Sequence, residues 1–211
     1  MTEQSAAKIL RRPRWLAIAA WVLGVLILVN VILGIWWSRQ PDVFWVNRNV
    51  DDNRIVVGYA TTDTLIRVAE TMLDKPGGYL SNDVMPPGVF LDNTPNWELG
   101  VLQQVRDLAR VIRNDYSRSQ SQSAEDQDVR DGEQAFFIEN TSWVFPRAES
   151  EYRRAIEGFV RYRDRLSDDD DRDAQFYARA DNLREWLAQV EKRLGSVTRR
   201  LGDSVATTRI N

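Results

Sequence analysis

Three carboxylates in or beside one loop are the residues of this chain with side chains suited to acid–base catalysis. They are Asp83, Asp92 and Glu98. The sequence contains no histidine and no cysteine, which removes the commonest general base and the usual activator of a serine nucleophile. Two carboxylates that face each other across a cleft can hydrolyse a glycosidic bond without histidine. The alternative of an envelope glycan hydrolase therefore remains open.

A simpler interpretation of these carboxylates is structural. Asp83 and Asp92 have the composition of turn residues, and Glu98 is a charge in the first turn of a predicted helix. Nothing in the sequence brings any two of them together. We therefore expect a protein that is not an enzyme and has no cofactor.

Two other patterns resemble known sites but lack essential residues. Asp126 and Asp128 have the spacing of a calcium loop, but Arg130 and Phe137 occupy its fifth and twelfth positions, where oxygen ligands are required. Ser204 follows a glycine and an aspartate as in some esterases, yet no histidine exists to activate it. Neither pattern predicts a site.

The acidic run Asp168–Asp171 is the one candidate for binding a hard cation. Such runs are more often solvated junctions between helices. We expect no metal here, and the alternative of a cation or ligand sensor remains open.

An apolar loop is the most unusual segment. Residues 79–96, YLSNDVMPPGVFLDNTPN, contain three prolines and one glycine and should not form a helix. Loops usually lie on the surface and are polar, so this one should pack on the helices or on another protein. Its candidate partner-binding residues are Tyr79, Val84, Met85, Val89, Phe90 and Leu91.

A membrane anchor is predicted at residues 15–37, which carry no charge. As a helix this stretch is about 34 Å long, enough to cross a hydrocarbon core of about 30 Å. Trp15, Trp36 and Trp37 mark its ends, as is typical of the headgroup layer. Asn30 is its one strongly polar residue, and we interpret it as tolerated rather than as a contact to a second helix.

The basic residues before the span predict its orientation. Lys8, Arg11, Arg12 and Arg14 precede it, and only Glu3 opposes them, which favours a cytoplasmic N-terminus. No small-residue cleavage site follows the span, so we expect it to stay as an anchor. The remaining chain should lie in the periplasm and, being acidic (net charge −3 for the whole sequence), should not bind nucleic acid.

Four further helices are predicted from apolar periodicity. The fold class is mainly α: an N-terminal transmembrane helix followed by an antiparallel bundle of three to four helices. The second predicted helix has a wide apolar stripe, which indicates packing on two neighbours. Oxygens at residues 61–63 should cap the first helix. The predicted ranges are 63–73, 96–116, 147–167 and 174–201.

The last predicted helix has the most regular pattern. Apolar residues recur at steps of four and three from Phe176 to Leu201, which is a heptad seam. We interpret it as packed in an antiparallel bundle inside this chain, with a coiled coil to a partner as the alternative. Its final turns are the part that lacks an evident mate, and they supply the other candidate partner-binding residues, Leu194, Val197 and Leu201.

The remaining segments complete the predicted domain organisation. Residues 1–14 form a basic tail, 38–60 a connector, 61–201 the periplasmic domain and 202–211 a C-terminal tail. Within these, 55–59 have weak strand character, and the polar stretch 117–132 should be a flexible linker. Residues 135–146 should return to the core as an irregular segment. Phe44, Trp45 and Val46 either lie on the membrane surface or begin the core.

Long blocks of this sequence resemble a known family. PGGYLSNDVMPPGVFLDNTPNWELG, DYSRSQSQS, AESEYR and AQFYARADNLREWL are similar to an uncharacterised gammaproteobacterial family of single-pass envelope proteins. The resemblance implies a Gram-negative inner membrane and a periplasmic domain, and it brings no activity, cofactor or catalytic residue. It also implies that family members continue beyond Asn211. Two alternatives stay open: the further helical part is the mate of the seam, or this chain is a shorter member of the family. The leading hypothesis is a membrane-anchored module, a scaffold or accessory subunit, whose partners are the lipid bilayer and another envelope protein or a second copy.

Overall fold

The computed structural model describes residues 14–46, 54–119, 124–168 and 173–208. These ranges form six α-helices and no β-strand, so the mainly α fold class is confirmed. A short 3₁₀ turn, Gly88–Phe90, lies in the apolar loop, and a π turn, Ile112–Tyr116, extends the third helix. The helices are α1 Arg14–Trp37, α2 Tyr59–Asp74, α3 Asn93–Val111, α4 Gln127–Phe136, α5 Ala148–Ser167 and α6 Ala180–Thr208.

Helix α1 stands apart from the other helices and has no buried residue. It is long and apolar enough to cross a membrane, as predicted. Asn30 donates from Nδ2 to the Leu26 carbonyl at 3.0 Å, within the helix. Its amide nitrogen is therefore satisfied by its own helix.

Helices α2 to α5 form an antiparallel bundle in which each helix packs on two neighbours. Ion pairs at both ends of α2 and α5 fix their direction: Asp74 lies 2.8 Å from Arg153, and Asp63 lies 2.8 Å from Arg163. The side chains enclosed between the helices are apolar or aromatic. The principal ones are Leu65, Ile66, Met72, Leu102, Val105, Ile112, Val129, Phe136, Tyr152, Phe159 and Tyr162.

Helix α2 begins earlier than predicted and without the predicted cap. Its first residue is Tyr59, and the residue before it is Gly58, which has φ +89° and accepts a backbone bond from Thr62. A Cβ at Gly58 would lie 2.3 Å from Phe176. Glycine tolerates both the positive φ and the close approach of the Phe176 ring, because it has no Cβ. The predicted strand at 55–59 is wrong, because this segment turns directly into the helix.

Helix α3 confirms the prediction of a wide stripe. Leu102, Val105 and Ala109 are buried, and Val101 and Leu108 are partly buried beside them. The stripe contacts both α2 and α4. The helix begins at Asn93, three residues before the predicted start, because Pro95 is tolerated in a first turn where its N–H would lack a partner.

Helix α4 overturns the predicted flexible linker. The described residues 124–132 include the first six of the ten residues of α4, and Val129 and Gly132 are buried. Asp126 caps the helix by accepting from the Val129 N–H at 3.1 Å. A Cβ at Gly158 of α5 would lie 3.4 Å from the Gly132 Cα, so two glycines let α4 and α5 approach closely. The sequence did not predict this helix, because its interface with α5 uses small residues and the segment therefore has low hydrophobicity. Residues 120–123 lie outside the described part.

Helix α5 agrees with its prediction to within one residue, whereas α6 does not. Residues 174–179, predicted as the start of the last helix, are irregular, and α6 runs on to Thr208, through most of the predicted tail. Phe176 leaves the heptad pattern because its ring stacks on Tyr116, with centroids 4.7 Å apart. The Tyr177 N–H also bonds the Tyr116 carbonyl at 2.7 Å.

The predicted packing of α6 inside the bundle is wrong. Most of its seam residues are exposed, and among the described helices it makes no extensive contact. Helices α2, α3, α4 and α5, in that order, form a ring in which each helix already packs on two neighbours.

Candidate functional site

A buried ion pair lies where α2 ends and α3 begins. Glu98 is fully buried, and its Oε1 accepts from the Lys75 ammonium and from the Leu80 N–H at 2.8 Å. Its Oε2 accepts from the Ser81 N–H at 2.8 Å. Lys75 also donates to the carbonyls of Met72 and Gly78. Each charge is thus paired and hydrogen-bonded, which is the condition under which burial of both is tolerated.

This arrangement makes Glu98 a structural residue. Both carboxylate oxygens are bound by groups of the same chain, and the bonds to residues 80 and 81 fix the start of the apolar loop. A general acid or base needs contact with the reacting group, and burial denies Glu98 that contact.

The other two sequence candidates have different surroundings. Asp83 lies beside Gly88 and is exposed, with part of its carboxyl shielded from water. This partial desolvation, followed by the charges of Glu149 and Glu98, raises the pKa of the carboxyl. Asp92 precedes α3 and makes no side-chain cap. Asp83 and Glu98 interact electrostatically, but only Asp83 is accessible to a ligand.

The carboxylates considered as cation ligands do not form a metal site among the described residues. In the described ranges, no group of three or more carboxylates has the geometry of a metal site. Asp126 and Asp128 instead bind Arg165, at 2.8 and 2.9 Å. Most of the run Asp168–Asp171 lies outside the described residues.

The apolar loop divides into a buried base and an exposed tip. Tyr79 is buried: its hydroxyl donates to the Asn140 carbonyl at 3.1 Å and its ring meets Tyr152 edge-on. Burial, followed by the proximity of Tyr152, raises the pKa of Tyr79. Tyr79 is therefore a core residue, and its prediction as a partner-binding residue is wrong. Leu91 is half-buried. The exposed members of the predicted set are Val84, Met85, Val89 and Phe90.

A second exposed apolar loop was not predicted as a candidate. Trp143, Val144 and Phe145 were expected in the core, but all three are exposed between α4 and α5. The Asn82 side chain joins the two loops by donating to the Ser142 carbonyl at 2.9 Å. The sequence feature that could have identified this loop is a short apolar run without helical periodicity, followed directly by Pro146.

The three tryptophans predicted to mark the ends of α1 differ in their exposure. Trp15 and Trp36 are exposed, whereas Trp37 packs on the bundle. A Cβ at Gly77 would lie 2.6 Å from the Trp37 ring. Of the connector aromatics, Phe44 lies under the Arg67 guanidinium, 4.4 Å from ring centroid to Cζ, and Trp45 is exposed.

Helix α6 presents a continuous apolar face. Its polar side attaches to α3: Arg193 donates to Asp107 at 2.7 Å, and Asn182 donates to the Asp115 carbonyl at 2.7 Å. Trp186 packs partly against the core. Val190, in the middle of this face, is half-buried. Six other residues of the face are between 46% and 65% exposed, and they include all three predicted candidates: Leu183, Leu187, Leu194, Val197, Leu201 and Val205.

Comparison with known proteins gives a family that covers nearly the whole chain. The pattern described as "Uncharacterized protein conserved in bacteria (DUF2333)" matches residues 10–211. This chain belongs to the DUF2333 family. Neither the curated proteins nor the solved structures give a significant match. The predicted resemblance to an uncharacterised bacterial family is confirmed.

Proposed function

We propose that this DUF2333 protein is a single-pass bacterial inner-membrane protein whose non-catalytic periplasmic domain binds another envelope protein through α6. The observation that carries the proposal is the exposed heptad face of α6. The apolar faces of α2 to α5 are buried within the chain, and among the described helices that follow α1 only α6 has an uncovered apolar face.

A helical partner suits this face best. A seam with steps of four and three accepts the knobs of another helix, and 29 residues of α6 extend about 43 Å. Arg193 and Asn182 lie about a quarter turn around α6 from the middle of the seam. Their bonds to α3 and to the π turn are therefore on the flank of α6, where a helix packed on the seam leaves them in place. A partner helix would therefore add to the chain's own contacts rather than replace them.

The anchor supports the proposed location. Helix α1 has the length and composition of a span, and the basic residues that precede it favour a cytoplasmic N-terminus. With that orientation the bundle and α6 lie in the periplasm, where an envelope partner would meet them.

The absence of histidine and cysteine from the sequence and the internal bonding of Glu98 support a binding role over a catalytic one. Glu98 is the candidate carboxylate with the most elaborate surroundings, and its donors are Lys75 and the backbone of the loop. Its role in the proposal is to hold the loop, not to react.

Site-specific photo-cross-linking in intact cells tests the partner. A benzophenone amino acid at Leu194 should give a discrete adduct whose mass is not twice that of the chain. The same probe at Arg199, on the opposite face of α6, is the matched control and should give none. Val197→Asp should abolish the adduct without changing thermal unfolding of the bundle. No adduct, the same adduct from both positions, or an adduct of two copies only would overturn the proposed partner.

Cysteine labelling tests the orientation, because the chain has no cysteine of its own. A membrane-impermeant maleimide added to spheroplasts should label Glu191→Cys and leave Ser5→Cys unlabelled until the cells are lysed. The reverse pattern would place the bundle in the cytoplasm.

A further inference from the structure

Both exposed apolar loops lie at the end of the bundle that meets α1. Trp37, the last residue of α1, packs on Gly77, which follows α2. The Asn82 side chain then ties the α2–α3 loop to Ser142 of the α4–α5 loop. The anchor and the two loops therefore leave the bundle side by side.

The tips of these loops are apolar and exposed. Phe90 is 77% exposed and Phe145 is 94% exposed. No charged residue occurs between Val84 and Leu91, or between Trp143 and Pro146. Exposed apolar residues grouped in this way mark an interaction site, and their position beside α1 indicates which kind of partner they contact.

The first loop also has a backbone suited to a medium without water. In hydrocarbon each unbonded N–H costs several kcal/mol. Pro86 and Pro87 have no N–H. The N–H groups of Val89, Phe90 and Leu91 bond carbonyls within the loop, at 3.2, 3.0 and 2.9 Å. Within residues 84–91, three of the six N–H groups are thus bonded inside the loop, and positions 86 and 87 have no N–H to satisfy.

The loop lies along the apolar helix, not only at its end. Pro86, Pro87, Phe90 and Leu91 line one wall of a groove whose other wall is α1 from Leu23 to Gly34. Gly34 is about 4.5 Å and Ile27 about 15 Å along the helix axis from Trp37. With Trp36 and Trp37 at the headgroup layer, this groove lies at the depth of acyl chains.

We propose that residues 84–91 and 143–145 insert into the lipid leaflet that the bundle faces, so that the domain is seated in the bilayer beside its own anchor. The inference rests on the proposed membrane span. Lipid is favoured over a protein occupant because α1 forms one wall of the groove, and acyl chains surround a single span on every side. The two loops and α1 then make a three-point attachment that fixes the direction in which α6 extends.

Fluorescence of single-cysteine variants tests the insertion. The full chain is reconstituted into phosphatidylcholine vesicles and labelled with an environment-sensitive dye at Val84→Cys, Phe90→Cys or Phe145→Cys. Val57→Cys is the matched control, since Val57 and Val84 are both 57% exposed but Val57 precedes the opposite end of α2. Val31→Cys in α1 is the reference for lipid.

Each loop position should show blue-shifted emission and quenching by doxyl-labelled lipid, as Val31→Cys does, and Val57→Cys should show neither. Loop positions that behave like Val57→Cys, while Val31→Cys is quenched, would overturn the insertion alone. Blue-shifted emission without doxyl quenching would mean cover by protein and would also overturn it. Absence of quenching at Val31→Cys would instead refute the span on which the proposal rests.

Discussion

Leu102 in α3 and Leu194 in α6 belong to apolar stripes of the same spacing, yet Leu102 is fully buried and Leu194 is 58% exposed. The bundle closes because each of its four helices has two neighbours and the ends of α2 and α5 are joined by ion pairs. Helix α6 lies outside this ring and attaches to it through the polar side chains of Asn182 and Arg193 and through Trp186, which packs partly against the core. An apolar stripe therefore shows that a helix has a face to cover, but not whether the same chain covers it.

Removing one partner of the buried ion pair should give the largest effect. Glu98→Ala leaves the Lys75 ammonium and the N–H groups of residues 80 and 81 buried without their acceptor. We expect a loss of about 3–5 kcal/mol in the free energy of unfolding, measured by denaturation of the full chain in mild detergent. A change below 1 kcal/mol would show that the loop is held by other contacts.

The two leucines can be compared directly. Leu102→Ala opens a cavity in the core and should cost about 2–5 kcal/mol. Leu194→Ala removes an exposed side chain and should change the free energy of unfolding of the purified chain by less than about 0.5 kcal/mol. Equal losses in both variants would contradict the distinction between bundle and α6.

Substitution of one glycine in the bundle and one in α6 tests the same difference between these two regions, with a smaller expected change in stability. A Cβ at Gly158 in α5 would lie 2.8 Å from the Asp128 carbonyl oxygen, whereas one at Gly195 in α6 would meet nothing within 4 Å. Gly158→Ala should destabilise by about 1–3 kcal/mol through overpacking. Gly195→Ala should stabilise α6 by about 0.5–1 kcal/mol, because alanine loses less entropy in a helix. Thermal unfolding followed by circular dichroism separates these opposite signs.

The smallest effect concerns pH. Burial and neighbouring carboxylates raise the pKa of Asp83 in the folded state, so its ionised form disfavours folding at neutral pH. Asp83→Asn should raise the melting temperature at pH 7. This advantage should shrink as the pH falls through the raised folded-state pKa and vanish below the ordinary carboxyl range, where Asp83 is protonated in both states. An advantage that is constant from pH 7 to pH 4 would exclude titration as the cause.

The candidate surfaces were only partly predictable from sequence. The apolar composition of residues 79–96 indicated an interaction, but burial of Tyr79 by Tyr152 and Asn140 depends on α5 and on the loop that precedes it. Trp143, Val144 and Phe145 were expected in the core because an apolar run is usually buried. They are exposed in a loop that the bond between Asn82 and Ser142 joins to the α2–α3 loop, a contact that no local pattern encodes.

The sequence by itself determined the apolar span, the mainly helical fold, the wide stripe of α3 and the absence of histidine and cysteine, because these depend on composition or on periodicity within one segment. Tertiary structure alone decided that α4 is a helix, through the close approach of Gly132 and Gly158, and that residues 174–179 leave the helix to stack Phe176 on Tyr116. It also decided which apolar faces stay uncovered. Burial is a property of the neighbours of a residue, and those neighbours are distant in the chain.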